Sequence, residues 1–288
     1  MADLLVNPAI QSGVIPLLIA LIVVLLCGLI NDRVSRFAGI SVLLGFLVAY
    51  YLTFGLPPFP PKASGQKIAY IAVLGGALGL YITLRNVSDK AIWGLGLVVS
   101  ALSVGWIGWR KIQEPLSLDH FGVVLIVLAS TVAFYSLARQ TQNKDVDEAD
   151  GIVALILVLV AVAGVAFIAS SASIGQNAAA LAAALGGVML VNWSKRRFGL
   201  DVASRLVPLA TLTALLAQMV LFTDVIAWPL IFLPLVLIAS PVANLWIGPL
   251  SSRAELSRPV IIAVICAVPA LTTFLITWTL TPTSSGGY

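Results

Sequence analysis

The sequence predicts an all-α fold: a polytopic transmembrane helical bundle of about ten spans with no soluble domain. Two observations lead to this prediction. The chain contains ten apolar stretches of 17 to 26 residues that hold no Asp, Glu, Lys or Arg, and each is long enough to cross a hydrocarbon core about 30 Å thick as a helix. The composition is 60% hydrophobic and 10% charged, whereas about 25% of the residues in a soluble domain are charged. Lipid offers the backbone no hydrogen bonds, and a helix satisfies the N–H and C=O groups of such a stretch within the stretch itself.

The ten stretches follow one another through short connections, and no linker rich in Gly and Ser divides them. The chain, residues 1–288, is therefore predicted to be a single integral membrane domain. The first stretch is preceded by Asp3 and not by basic residues, and no small-residue cleavage site follows Ile30. We expect it to remain as a helix and not to be removed as a signal peptide. The predicted spans are residues 13–30, 37–56, 68–84, 91–109, 121–138, 151–169, 174–194, 206–223, 225–250 and 259–281.

Lys and Arg are distributed unevenly between the two sides that these spans define. Twelve of them follow odd-numbered spans and four follow even-numbered spans. Because basic residues in short loops mark the cytoplasmic side, both termini are predicted to lie outside a cytoplasmic-type membrane, either an inner membrane or a plasma membrane. The same bias accounts for the formal net charge of +4, so we expect no nucleic-acid partner.

The connection between the second and third spans is rich in proline. Residues 55–61 are Gly-Leu-Pro-Pro-Phe-Pro-Pro, a composition that favours a stiff polyproline II segment. We interpret it either as a rigid strut between two helices or as a docking strip for a partner with an aromatic groove.

Small residues recur every four positions in the third, fourth and seventh spans. Such rows allow helix backbones to approach closely, which matters in lipid because no hydrophobic force drives helices together there. These spans are therefore predicted to form the tightly packed interior, although the same rows could form a self-association face. The candidate packing residues are Gly75, Gly79, Ala101, Gly105, Ala183 and Gly187.

The fifth and sixth spans begin with polar residues that invite a chemical interpretation. His120 is the only histidine, and we interpret it, beside Asp119, as capping the fifth helix; the alternative is a dyad with Ser117 or Ser130. Asp145, Asp147, Glu148 and Asp150 precede the sixth span and resemble the start of a calcium loop, but the remaining ligands of such a loop are missing. These acidic residues suit a helix amino end.

Missing residue types exclude several functions. One histidine and two cysteines, Cys27 and Cys266, cannot supply a zinc site or paired haem ligands. No lysine lies within a span, which excludes a retinal Schiff base, and no ionisable residue lies at mid-span, where ion-coupled carriers usually place one. We therefore predict no catalytic, cofactor-binding or metal-binding residue.

The ninth span is the most irregular one because it contains Pro229, Pro234 and Pro241, and each proline removes a backbone donor. Transporters build substrate sites at such broken helices. We therefore predict a solute pathway among the last three spans, with Asp224 near its outer mouth. Its candidate residues are Gln218, Asp224, Pro234, Ser240, Pro241, Asn244, Pro269 and Thr272.

Two functions are consistent with this pattern. The first is a permease or exporter-like carrier of a small neutral or weakly polar solute. The second is a non-catalytic structural subunit or scaffold of a larger membrane complex, which the packing rows and the proline-rich segment favour. A lipid-processing enzyme ranks third because histidines and acidic clusters are scarce. Besides the lipid bilayer, the expected partners are other membrane proteins or further copies of this chain.

Overall fold

The computed structural model describes residues 7–30, 39–85, 87–113, 121–132, 148–193, 202–239 and 257–281. These residues form ten helices, and no strand occurs among them. A π-helical turn, Ile10–Val14, leads into the first helix. The helices are α1 (Ile15–Ile30), α2 (Gly39–Phe54), α3 (Ser64–Arg85), α4 (Asp89–Ile112), α5 (Phe121–Val132), α6 (Glu148–Ile168), α7 (Ala172–Asn192), α8 (Val202–Phe222), α9 (Trp228–Ala239) and α10 (Arg258–Leu280).

The predicted all-helical class is confirmed. Seven helices in the described part of the chain are long and apolar enough to cross a membrane: α1 with its preceding turn, α3, α4, α6, α7, α8 and α10. The remaining three, α2, α5 and α9, are shorter apolar helices. Each of the ten overlaps one predicted span, so the apolar stretches and the helices correspond one to one.

The start of α3 differs from the prediction, which placed it at Ile68. The helix begins at Ser64 because the Gln66 side chain caps it: Gln66 Oε1 accepts the backbone N–H of Ala63 at 3.1 Å and that of Lys62 at 2.9 Å. This is half of a capping box, in which the third helical residue reaches back to the residue before the helix. Local polar chemistry thus extends the helix beyond its apolar stretch.

The start of α9 also differs from the prediction, which placed it at Val225. Its first turn is a tight 3-10 turn, Trp228–Phe232, with Pro229 at the beginning, where its missing N–H costs nothing. The predicted span continued to Leu250, and residues 240–256 lie outside the described ranges.

Helix α8 is the centre of the bundle. In its membrane-spanning part 94% of the residues are buried. It packs against α3 and α4 on one side and also contacts α2, α6 and α7. Helices α6 and α7 form an antiparallel pair, and α10 packs on α6 and on the first turn of α9. By contrast, α1 and α10 are mostly exposed, so in a membrane they present their outer faces to lipid.

Side-chain contacts show which helix ends lie together. At one end of the bundle, the Tyr50 hydroxyl near the end of α2 donates to the Gly65 carbonyl at the start of α3, at 3.1 Å. At the same end, Lys67 of α3 donates to the Trp106 carbonyl near the end of α4, at 2.6 Å. Successive helices therefore run in opposite directions here, as a chain that crosses a membrane repeatedly must run.

An ion pair between the buried Asp150 and the partly buried Arg258 joins α6 to α10. Arg258 donates from Nε and a terminal nitrogen to Asp150 Oδ2, at 3.2 and 3.0 Å, and Asp150 is 1% exposed. Both residues lie in the first turn of their helices, where a negative charge is favourable and a positive charge is not. Asp150 therefore offsets the unfavourable position of Arg258. Asp150 was predicted to lie at the amino end of a helix; in the structure it also binds Arg258, which is 108 residues away.

Two of the small-residue rows lie in close helix contacts. A Cβ on Gly75 of α3 would lie 3.3 Å from the Leu206 carbonyl oxygen of α8, and one on Gly187 of α7 would collide with the Leu17 carbonyl oxygen of α1. Gly79 is buried on α3, while Ala183 is partly buried on α7. Backbone thus packs against backbone at the α3/α8 and α1/α7 contacts.

The row on α4 is arranged differently. Ala101 is exposed, and nothing lies within 4 Å of the position that a Cβ on Gly105 would occupy. The sequence predicted α4 to be part of the tightly packed interior, but the structure places this row on an outer face of the chain.

Gly187→Ala is expected to lower the free energy of unfolding by about 1 to 3 kcal/mol, because the added methyl meets a backbone oxygen that cannot turn away. The matched control is Gly186→Ala, since a Cβ at Gly186 has no neighbour within 4 Å. That substitution should leave stability unchanged or raise it by up to about 1 kcal/mol through helix propensity. Thermal unfolding in detergent measures both, and equal shifts for the two variants would contradict the close approach.

Candidate ligand cavity

A cavity of about 290 Å³ lies between α5, α8 and α9, with Val158 of α6 contributing to its wall. Leu, Ile, Val and Ala supply most of the lining, and among the described lining residues only Ser130 of α5 and Thr213 of α8 carry hydroxyl groups. An engineered apolar cavity of about 150 Å³ stays dry and binds benzene. The present cavity is about twice as large, which is enough room for a small organic molecule.

The cavity exists because α5 and α8 touch at two separate places. At one place the absence of a side chain on Gly122 admits Val220, whose Cγ1 would lie 2.6 Å from a Cβ on that glycine. At the other place the hydroxyls of Ser130 and Thr213 lie 3.0 Å apart. The two contacts are eight residues apart along α5, which is about 12 Å of helix. Helix α9 covers the interval without filling it.

The Ser130 and Thr213 hydroxyls make more contacts than they have protons. Ser130 Oγ lies 2.7 Å from the Ile126 carbonyl oxygen, and Thr213 Oγ1 lies 2.8 Å from the Leu209 carbonyl oxygen. Together with the contact between the two hydroxyls, there are three oxygen–oxygen contacts of hydrogen-bond length but only two hydroxyl protons to fill them. Each hydroxyl oxygen can accept two hydrogen bonds, so the pair has spare acceptor capacity. It can donate to a ligand only by giving up a bond that it already makes.

One side of the cavity faces away from the bundle. Leu128 of α5 and Ile231 of α9 both line the cavity, and they are 56% and 55% exposed. They belong to apolar helices, so in a membrane their exposed sides contact hydrocarbon. The cavity therefore opens sideways between α5 and α9, towards lipid.

The structure separates the residues of the predicted solute pathway. Pro234 lines the cavity. Gln218 is buried on a different face of α8, where its Nε2 lies 3.7 Å from the position of a Cβ on Gly65 of α3. Asp224 is exposed in the turn between α8 and α9. The remaining members from this part of the chain, Ser240, Pro241 and Asn244, lie outside the described residues.

The two pathway residues on α10 do not line the cavity either. The Thr272 hydroxyl donates to the Val268 carbonyl of its own helix at 2.8 Å. Pro269 lies inside α10, where Thr273 donates to its carbonyl at 3.0 Å. The expected pathway among the last three helices is therefore not one cavity in the described structure, and the cavity that does occur uses α5 in place of α10.

The sequence does not predict most of the cavity. It suggests Ser130 only as a partner for His120, and it does not distinguish Thr213 or Gly122 from other residues of the apolar stretches. A hydroxyl residue within an otherwise apolar stretch could have indicated the polar part of the cavity, but many of the stretches contain such a residue, so the signal is not specific. Pairing across 83 positions decided which of them matter. His120 and Asp119 lie outside the described residues, as do residues 133–147, which include Asp145 and Asp147.

The described residues hold no group of three or more His, Cys, Asp or Glu side chains that could bind a metal ion.

Gln218 is an unusual buried polar residue near the predicted pathway. Its Oε1 is buried and has no hydrogen-bond partner among the described atoms. Leaving such an acceptor unpaired costs about 1 to 3 kcal/mol.

Gln218→Met is accordingly expected to raise the free energy of unfolding by about 1 to 3 kcal/mol, because methionine keeps the length of the side chain and removes the unpaired oxygen. Gln176→Met on α7 is the control: Gln176 is only partly buried, and little change is expected there. Thermal unfolding in detergent measures both variants. A lower unfolding temperature for Gln218→Met would mean that the amide has a partner and would restore Gln218 as a candidate for the solute pathway.

Comparison with known proteins adds no relative, since no family model, no curated protein and no solved structure matches this chain.

Proposed function

We propose that this protein is a multi-pass carrier, of the permease or exporter type, for a small neutral and weakly polar solute. The observation that carries this proposal is the cavity between α5, α8 and α9, which is apolar except for one hydroxyl pair. Ligand sites in proteins are typically apolar with a few polar groups that orient the ligand. A wholly apolar solute would cross the bilayer unaided, so the proposed solute has a polar part as well.

The charge distribution supports a neutral solute. Asp150, Arg205 and Arg258 are found in the first turns of α6, α8 and α10, and the predicted spans contain no charged residue. A charged solute in a low-dielectric interior would need a partner charge or a metal ion. A site without one favours uncharged molecules, and it favours movement down a gradient over coupling to protons or sodium.

The membrane arrangement that goes with this proposal has about ten spans and both termini outside a cytoplasmic-type membrane. Seven long apolar helices and three shorter ones support it, as does the excess of Lys and Arg after odd-numbered spans. In this arrangement the buried Asp150/Arg258 pair lies at the cytoplasmic ends of α6 and α10.

Ala129→Phe should lower the flux of a neutral triol such as hexanetriol at least tenfold, because Ala129 lines the cavity and a phenyl ring would fill much of it. The measurement is osmotic light scattering of proteoliposomes, corrected for protein-free vesicles. The control is Val124→Phe on the same helix. Val124 is exposed and does not line the cavity, so its flux should match that of the unmodified protein. Absence of protein-dependent flux, or an equal effect of both variants, would contradict the carrier proposal.

A second candidate function is a structural subunit of a larger membrane complex. The small-residue row of α4 favours it: Ala101 is exposed, and Gly105 is half-buried with open space at its Cβ position, so the row permits close packing with a helix of another chain. Leu56 and Phe59 of the proline-rich segment are also 80% and 86% exposed, although Tyr70 holds the segment against α3 by donating to the Pro57 carbonyl at 3.0 Å.

If α4 is such an interface, Gly105→Leu should reduce by at least tenfold the amount of any stoichiometric partner that co-purifies in mild detergent. Gly186→Leu on α7 is the control, because that glycine also faces open space but lies on another helix. Quantitative mass spectrometry of the purified material gives the stoichiometry. A monodisperse protein without a partner, or equal loss in both variants, would argue against the subunit function.

A further inference from the structure

We propose that the cavity binds the apolar chain of a molecule that comes from the bilayer, and that this molecule presents a hydrogen-bond donor, a hydroxyl or an N–H group, to Ser130 and Thr213. The inference rests on the proposed function only in taking the cavity as the ligand site. It adds the chemical class of the ligand and the direction from which the ligand approaches.

The direction follows from the position of the opening. Leu128 and Ile231 form part of the wall and are more than half exposed, so the gap between α5 and α9 faces the lipid chains. At the other side, Val158, Leu209 and Leu212 close the cavity against α6 and α8. An amphipathic molecule dissolved in the bilayer can therefore reach the cavity without passing through water.

The preference for a donor follows from the count of protons. Ser130 and Thr213 are both buried, and each hydroxyl already directs its proton to a carbonyl of its own helix or to the other hydroxyl. The oxygens retain lone pairs, whereas no proton is free. A ligand hydroxyl or N–H group gains a hydrogen bond at no expense to the protein. A ligand ether or ketone oxygen can gain one only if a bond within the protein breaks, and a buried group left unpaired costs more than a typical bond contributes.

Photolabelling tests this proposal. The probe is a medium-chain primary alcohol with a diazirine on its chain, and the matched probe is the methyl ether of the same alcohol, which has an acceptor but no donor. The protein is reconstituted into phosphatidylcholine nanodiscs, and labelled peptides are located by mass spectrometry. We expect the alcohol to label α5, α8 and α9 around the cavity, and to label them about three to ten times more strongly than the ether at equal concentration in the membrane.

Variants show whether the hydroxyl pair is responsible. The double substitution Ser130→Ala with Thr213→Val should remove the preference for the alcohol and leave ether labelling unchanged. Thr211→Val is the matched control: Thr211 is buried on the same helix and donates to Val207, but it does not line the cavity. Ala129→Phe should abolish labelling of the cavity by both probes, while Val124→Phe should not.

Two outcomes would overturn the proposal. Equal labelling of the cavity by alcohol and ether would refute donor recognition. Labelling spread evenly over the lipid-facing sides of α1 and α10 would show only contact with bulk lipid. Triol flux distinguishes this proposal from the carrier proposal. Selective labelling without flux would refute transport and retain the ligand site. Flux without selective labelling would refute the ligand site and retain transport.

Discussion

Everything in this structure is subject to one constraint: the surrounding hydrocarbon cannot accept or donate a hydrogen bond. The backbone groups bond to each other by forming helices, and the hydroxyl side chains likewise bond to carbonyls of their own helix. Thr211, Thr273 and Thr277 each donate to the carbonyl four residues earlier in their own helix, and the hydroxyls of Ser130 and Thr213 lie 2.7 and 2.8 Å from the corresponding carbonyl oxygens. Hydroxyl residues are therefore tolerated deep in the bundle, and only those whose oxygens also face a cavity remain available for recognition.

The same constraint keeps charges at the helix ends and makes them pair. Asp150 is buried and Arg258 is partly buried; they lie in the first turns of their helices and bind each other across 108 positions. Removing Arg258 would leave the buried Asp150 carboxylate without this partner, so the contact couples α6 to α10. Polar atoms without a partner do occur in the interior: Gln218 Oε1 and Ser100 Oγ are buried, and neither has a hydrogen-bond partner among the described atoms.

Packing in the bundle depends on where glycine lets backbones meet. Gly187 brings α7 so close to α1 that a Cβ would collide with the Leu17 carbonyl oxygen, and Gly75 brings α3 close to α8, where a Cβ would lie 3.3 Å from the Leu206 carbonyl oxygen. Gly122 of α5 instead admits the Val220 side chain of α8 at one end of the cavity, while the Ser130/Thr213 contact joins the two helices at the other end. The cavity lies in the interval between these two contacts. Leu128 and Ile231 line its outer side and are more than half exposed, and this exposure is the basis for proposing a ligand that comes from the bilayer.

The sequence by itself determined the helical class, the approximate position of every described helix and the absence of charge from the spans, because each of these depends on the local composition of a stretch. It also led to the prediction of close packing at Gly75 and Gly187, since a four-residue spacing is a local property. Tertiary structure alone decided that the Ala101 row faces outward, that Gln218 turns away from the cavity and that Ser130 meets Thr213 across 83 positions. The physical reason is that lipid is as apolar as the protein interior. A membrane helix therefore needs no polar outer face, and its sequence carries little record of which side meets lipid, which side meets another helix and which side borders a cavity.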